Sequence, residues 1–142
     1  MKRIVALLLI ICTFSFSGCW PIDDMQQGYD DSVNFAKEFC NMLVVNDFEN
    51  AKGFLHPSSA PNKDRLESFI DTIESTNDID FSNGFEIKNT VYRKTSYFDN
   101  AYEGSVYSFQ FETYISNKTI NIFFVVVDND IGYGIFYFGI IE

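Results

Sequence analysis

The spacing of apolar residues changes once along this chain, from three and four residues before Asn77 to two after Phe85, and that change restricts the fold more than any other feature. Val33, Ala36, Phe39, Cys40, Leu43 and Val44 recur at helical spacing, and Asp31 or Ser32 is placed to cap the first turn. Asn46-Asp47 reads as the end of that helix and the cap of a second, with Phe48, Ala51, Phe54 and Leu55 as its inner face. The second helix is expected to stop at His56-Pro57, because the residue before a proline is pushed out of the α region. Ser58 to Asn62 reads as a loop, and Leu66, Phe69, Ile70 and Ile73 mark a third helix over Lys63 to Ser75.

After the polar segment Asn77 to Gly84, Phe85, Ile87 and Val91 alternate with Glu86, Lys88 and Thr90. The stretch Gly104 to Ile115 repeats the pattern, with Tyr107, Phe109, Phe111, Thr113 and Ile115 on one side and Ser108, Gln110, Glu112 and Tyr114 on the other. Turns at Ser116-Asn117-Lys118 and Asp128-Asn129-Asp130 lead into Thr119 to Val127 and Ile131 to Ile141, which are apolar on both sides. Along the last of these, Tyr133 and Tyr137 are expected on one face and Phe136 and Phe138 on the other. Such strands are central in a sheet, or their second face is covered by a partner, either a second copy in a homodimer or another envelope protein. The predicted class is α+β, with three N-terminal helices on one face of a curved, cone-like antiparallel sheet of about four strands.

Ahead of the helices, Met1-Lys2-Arg3 and the apolar run Ile4 to Phe16 have the grammar of an export signal over residues 1–18. The run is shorter than the roughly 20 apolar residues that a membrane span needs, and Thr13 and Ser15 interrupt it. Phe16-Ser17-Gly18-Cys19 resembles the bacterial lipobox, with Phe16 in place of the usual Leu. The resemblance implies cleavage before Cys19, lipid on Cys19, and a mature chain attached to a membrane of the cell envelope. In a diderm host, Trp20 after the cysteine resembles the pattern sent on to the outer membrane; in a monoderm the anchor would lie on the extracytoplasmic face of the plasma membrane. Residues 19–30, which include Pro21-Ile22-Asp23-Asp24-Met25-Gln26-Gln27-Gly28, lack periodicity and read as a tether, leaving 31–142 as a single domain.

Once the signal is gone, eight Lys and Arg face twenty Asp and Glu, none of the basic residues in a run. Nucleic-acid binding depends on cations that neutralise phosphates, so that class is set aside. Cys12 leaves with the signal and Cys19 is taken by lipid, so Cys40 has no cysteine to pair with and reads as a buried thiol.

The helix pair Phe35 to Val45 and Asp47 to Leu55, with its junction Asn46-Asp47-Phe48-Glu49-Asn50-Ala51, followed by a strand meander, resembles the nuclear transport factor 2-like superfamily. A cystatin-like sheet wrapped on one helix is the competing resemblance. The first implies a cone-shaped pocket, but no acid, base or tyrosine of its enzymes can be matched residue by residue, so no catalytic residue is assigned and the chain is read as a non-enzymatic binding module. A pocket enzyme of unrecognised type and an immunity-like or structural lipoprotein are the alternatives.

Three residues are candidates to line the pocket: Asn89 and Thr113, polar on otherwise apolar strand faces, and Tyr107, whose hydroxyl points to the same side. Core hydrogen bonding is the ordinary use of such groups. His56, the sole imidazole, stands at a helix end where it can cap carbonyls. One histidine and one spare cysteine are too few for zinc, and Asp128-Asn129-Asp130-Ile131-Gly132 departs from a calcium loop in the place of its glycine. No metal and no cofactor is expected, and the ligand is not specified.

Overall fold

The computed structural model describes residues 22–93 and 103–141, and Cys19 lies outside them. Helix α1 is Ile22–Val44, followed by the short α2, Phe48–Ala51, and a 3-10 turn, Lys52–Phe54. Strand β1 is Leu55–Ala60, helix α3 Leu66–Asn77, and the remaining strands are β2 Phe85–Tyr92, β3 Ser105–Ile115, β4 Lys118–Asn129 and β5 Gly132–Ile141. The sheet order is β1-β5-β4-β3-β2; β1 runs parallel to β5 and the other neighbours are antiparallel. Among the described residues the class is α+β, with three helices and a five-stranded mixed sheet.

The fifth strand corrects the expectation of about four antiparallel ones. Leu55 and His56 are buried, yet they belong to β1 and not to a helix end. Pro57 fits there because β1 is an edge strand, where a missing N–H leaves no ladder bond unmade. The close approach of β1 to β5 requires Gly134, since a Cβ at that position would lie 2.6 Å from the His56 backbone nitrogen.

Helix α1 also starts nine residues earlier than the Asp31 expected to cap it, so most of the segment read as a tether is helical. Ser32 is no cap: it is fully buried, and its hydroxyl shares a 3.4 Å hydrogen bond with that of Tyr133. The α1–α2 junction is as read, with Asn46 in the left-handed region and Asp47 accepting from the Asn50 N–H at 3.2 Å. Left-handed Asp78 ends α3, and Lys118 donates to the carbonyls of Asn77 and Asp78 at that end.

Between the helices and the sheet lies the main core, where Ala36, Phe39 and Leu43 of α1 and Leu66, Ile70 and Ile73 of α3 meet Phe109, Phe111, Phe124 and Phe138. Phe124 stacks on Phe109 and Phe138 at 5.7 and 6.0 Å, and Phe39 closes edge-on over Phe138 at 5.0 Å. Offset and edge-to-face pairs of this kind add about 0.5–1.5 kcal/mol each beyond the area they bury. On the opposite face Phe123, Val125 and Val127 are buried as well, packed by Val106, Phe136, Tyr137 and Ile141.

Two bulges set which side chains face the helices. On β5, Val125 pairs with Tyr137 and Val126 with Ile135, so Phe136 is the extra residue. It joins Tyr137 on the far face, while Tyr133 and Phe138 both face the helices, a correction to the strict alternation expected for this strand. On β2 the extra residue is Lys88, between Ile87 opposite Thr113 and Asn89 opposite Glu112. A one-residue slip reverses every later side chain.

Candidate functional site

The slip at Lys88 turns Asn89 away from the core. It is exposed, and its side-chain oxygen accepts from the Thr90 N–H at 2.9 Å. Thr113 is fully buried among the core aromatics and donates to the Ile120 carbonyl at 2.8 Å, a bond internal to the sheet. Of the three residues singled out in the sequence, Tyr107 lines a cavity.

That cavity, of about 360 Å³, opens where the first part of α1 crosses the end of the sheet, and the described residues lining it are Gly28, Asp31, Phe35, Tyr107, Asp128 and Tyr133. Gly28, Asp31 and Phe35 are spaced by three and four, which places them on one helix face. Asp128 and Tyr133 are direct cross-strand partners on β4 and β5, and Tyr107 on β3 stands opposite Val126, two residues before Asp128. Two aromatic groups frame the opening: Tyr107 meets Tyr29 edge-on at 5.2 Å, and Phe35 meets Tyr133 at 4.9 Å. Gly28 is small for a reason, because a Cβ there would stand 2.3 Å from the Tyr107 hydroxyl.

Of the polar groups of this mouth, the Tyr133 hydroxyl is engaged by Ser32. Among the described residues, the Asp31 and Asp128 carboxylates and the Tyr107 hydroxyl have no hydrogen-bond or ion-pair partner. Burial pushes the Tyr133 phenol above its usual range, the Ser32 hydrogen bond opposes that, and the negative charge of Asp31 and Asp128 adds to it. The larger groove between β1 and α3 offers one such group, the Arg65 guanidinium, which has no hydrogen-bond or ion-pair partner among the described residues. Its Ser59, Ser68 and Thr72 hydroxyls already donate to the carbonyls of Pro61, Arg65 and Ser68.

His56 is likewise committed. Its Nδ1 accepts from the Ser58 N–H at 3.1 Å, which leaves Nε2–H to donate to the Asn129 side-chain oxygen at 3.1 Å. That same oxygen accepts from the N–H groups of Ile131 and Gly132, so the imidazole ties β1 to the β4–β5 turn. Burial pushes the Cys40 thiol far up, away from the thiolate that a nucleophile or a metal ligand needs. No group of three or more His, Cys, Asp or Glu side chains among the described residues is arranged to hold a metal ion.

Sequence reading missed Gly28, Asp31, Phe35, Asp128 and Tyr133. In sequence Asp31 resembles a helix cap and Asp128 a turn residue, and only a helix extended back past residue 28 puts a glycine, an acid and an aromatic on one face. The bulge at Phe136, which brings Tyr133 to the helix side, leaves no mark in the alternation. Comparison of the chain with protein-family models, with curated proteins and with solved structures finds no match.

Proposed function

We propose that this chain is a lipid-anchored protein of the cell envelope that acts as a non-enzymatic binding module, taking a small ligand at the mouth between α1 and the sheet. One observation carries the ligand reading: Asp31, Asp128 and Tyr107, whose polar groups have no hydrogen-bond or ion-pair partner among the described residues, line one concave surface together with the rings of Phe35 and Tyr133. A few polar groups placed in an aromatic-lined hollow are the usual composition of a small-molecule site. The anchor rests on the run from Met1-Lys2-Arg3 to Phe16-Ser17-Gly18-Cys19. The non-enzymatic reading is supported by the engagement of both His56 ring nitrogens in structural hydrogen bonds and by the deep burial of the Cys40 thiol.

The test is native mass spectrometry of the processed protein extracted from its host in a mild maltoside detergent. An acylated N-terminus at Cys19 and a reproducible adduct lost in Gly28→Ala are expected. The alanine suits the helix, by up to about 1 kcal/mol over glycine, and forces the Tyr107 ring, part of the cavity wall, to shift. A free N-terminus elsewhere would refute the anchor, and an adduct unchanged in Gly28→Ala would remove the ligand from the mouth.

A further inference from the structure

Building on the reading of the mouth as a ligand site, we infer that its occupant is a small organic cation, an alkylammonium compound paired with Asp31 and Asp128 and packed on Phe35, Tyr107 and Tyr133. The sign of the charge follows from the lining, which holds two acids and no base among the described residues. The ion pairs of Lys52, Lys88 and Lys118 are made with Glu49, Glu86 and Asp78, none of which lines the mouth. A net charge of −10 on the chain adds a long-range attraction for cations.

An organic cation fits better than a metal ion because of what surrounds the carboxylates. A calcium ion takes about six to eight oxygen ligands, and each water it sheds must be replaced. Two carboxylates among aromatic rings cannot do that. An alkylammonium needs less: its N–H or N–CH₃ groups meet a carboxylate and the Tyr107 hydroxyl, and its carbon stem lies against rings whose electron-rich faces attract positive charge. The cavity is near the lower end of the roughly 300–1,000 Å³ common to ligand sites, so the stem is short. The amine can be a free metabolite or the amine of a lipid headgroup.

Putrescine and choline are titrated calorimetrically into the full processed protein in maltoside detergent. Saturable binding is expected, with a dissociation constant of roughly 0.1–1 mM. Asp31→Asn and Asp128→Asn should each weaken binding by about tenfold, through loss of one charge-assisted contact, at an unchanged melting temperature because both side chains are exposed. Binding of the free amines assigns a soluble ligand. Failure of the free amines together with saturable binding of glycerophosphoethanolamine, the water-soluble headgroup, lost in Asp31→Asn, assigns the headgroup instead; both results support an alkylammonium. Calcium binding that Asp128→Asn abolishes would overturn the inference in favour of a metal. So would amine binding indifferent to both substitutions, or no binding of either amine or of glycerophosphoethanolamine up to about 10 mM. If amines fail while the native protein carries an adduct that Gly28→Ala removes, the ligand class is wrong and the site stands; if both fail, the site falls too.

Discussion

Replacing Gly134 by alanine tests how β1 is held. The added Cβ would lie 2.6 Å from the His56 nitrogen and 2.9 Å from both the His56 Cα and the Leu55 carbonyl carbon. These are backbone atoms, so no side-chain rotation relieves the contact. Restoring the roughly 3.5 Å at which non-bonded heavy atoms attract requires β1 to retreat by about 0.9 Å. Leu55 and His56 are both nearly inaccessible to solvent, and the retreat also pulls on the 3.1 Å bond from His56 to Asn129. Overpacking of this kind costs about 1–3 kcal/mol, which for a domain of this size lowers the melting temperature by roughly 5–15 °C. Circular dichroism melting reads the total, and amide hydrogen exchange shows where it falls. Exchange should quicken over Leu55–Ala60 while β3 and β4 keep their protection. An unchanged melting temperature with unchanged exchange at β1 would refute the packing argument, and a uniform rise in exchange would refute the claim that the damage is local.

Phe124→Ala removes the ring that stacks on both Phe109 and Phe138 and should cost about 3–5 kcal/mol in guanidinium unfolding, so a loss under 1 kcal/mol would mean that the core closes over the gap. The processed protein should show no thiol reactive to iodoacetamide when folded and one, Cys40, when unfolded; labelling of Cys19 as well would contradict its lipidation. The hydrogen bond and charge of Lys118 hold the Asp78 carboxyl below its usual range. Its folded pKa is therefore the lower one, and its small stabilisation is complete above the unfolded pKa and disappears as pH falls through the folded value. Asp78→Asn should flatten that part of the acid limb at low salt and change little at high salt, where an exposed pair is screened; an acid limb identical in wild type and variant at low salt would refute the coupling.

The elements that could be read from sequence are those whose pattern is local. β2 to β5, the α1–α2 junction at Asn46-Asp47 and the inner face of α3 follow from spacing and caps alone. β1 was hidden because Leu55-His56-Pro57 resembles a helix stop, and its strand character comes from pairing with β5, about eighty residues away. The bulges at Lys88 and Phe136 were hidden because a bulge inserts a residue without changing composition. Their effects run in opposite directions for the candidate site. The first removes Asn89 from the face where strict alternation puts it, and the second adds Tyr133. Tyr107 was readable since β3 pairs with β4 without a slip from Ser105 to Ile115, so the period of two holds along its whole length.

The early start of α1 has a mechanical consequence for the anchored form proposed above. Ile22 is three residues from Cys19, so at about 3.3–3.6 Å per residue the helix begins within roughly 11 Å of the acylated residue. Gly28 is then about 9 Å further along a rigid rod that rises about 1.5 Å per residue. Such a leash keeps the mouth within roughly 20 Å of the anchored residue. A lipid headgroup would be met there within a thin layer along the bilayer, where encounter is a search over an area and not through a volume.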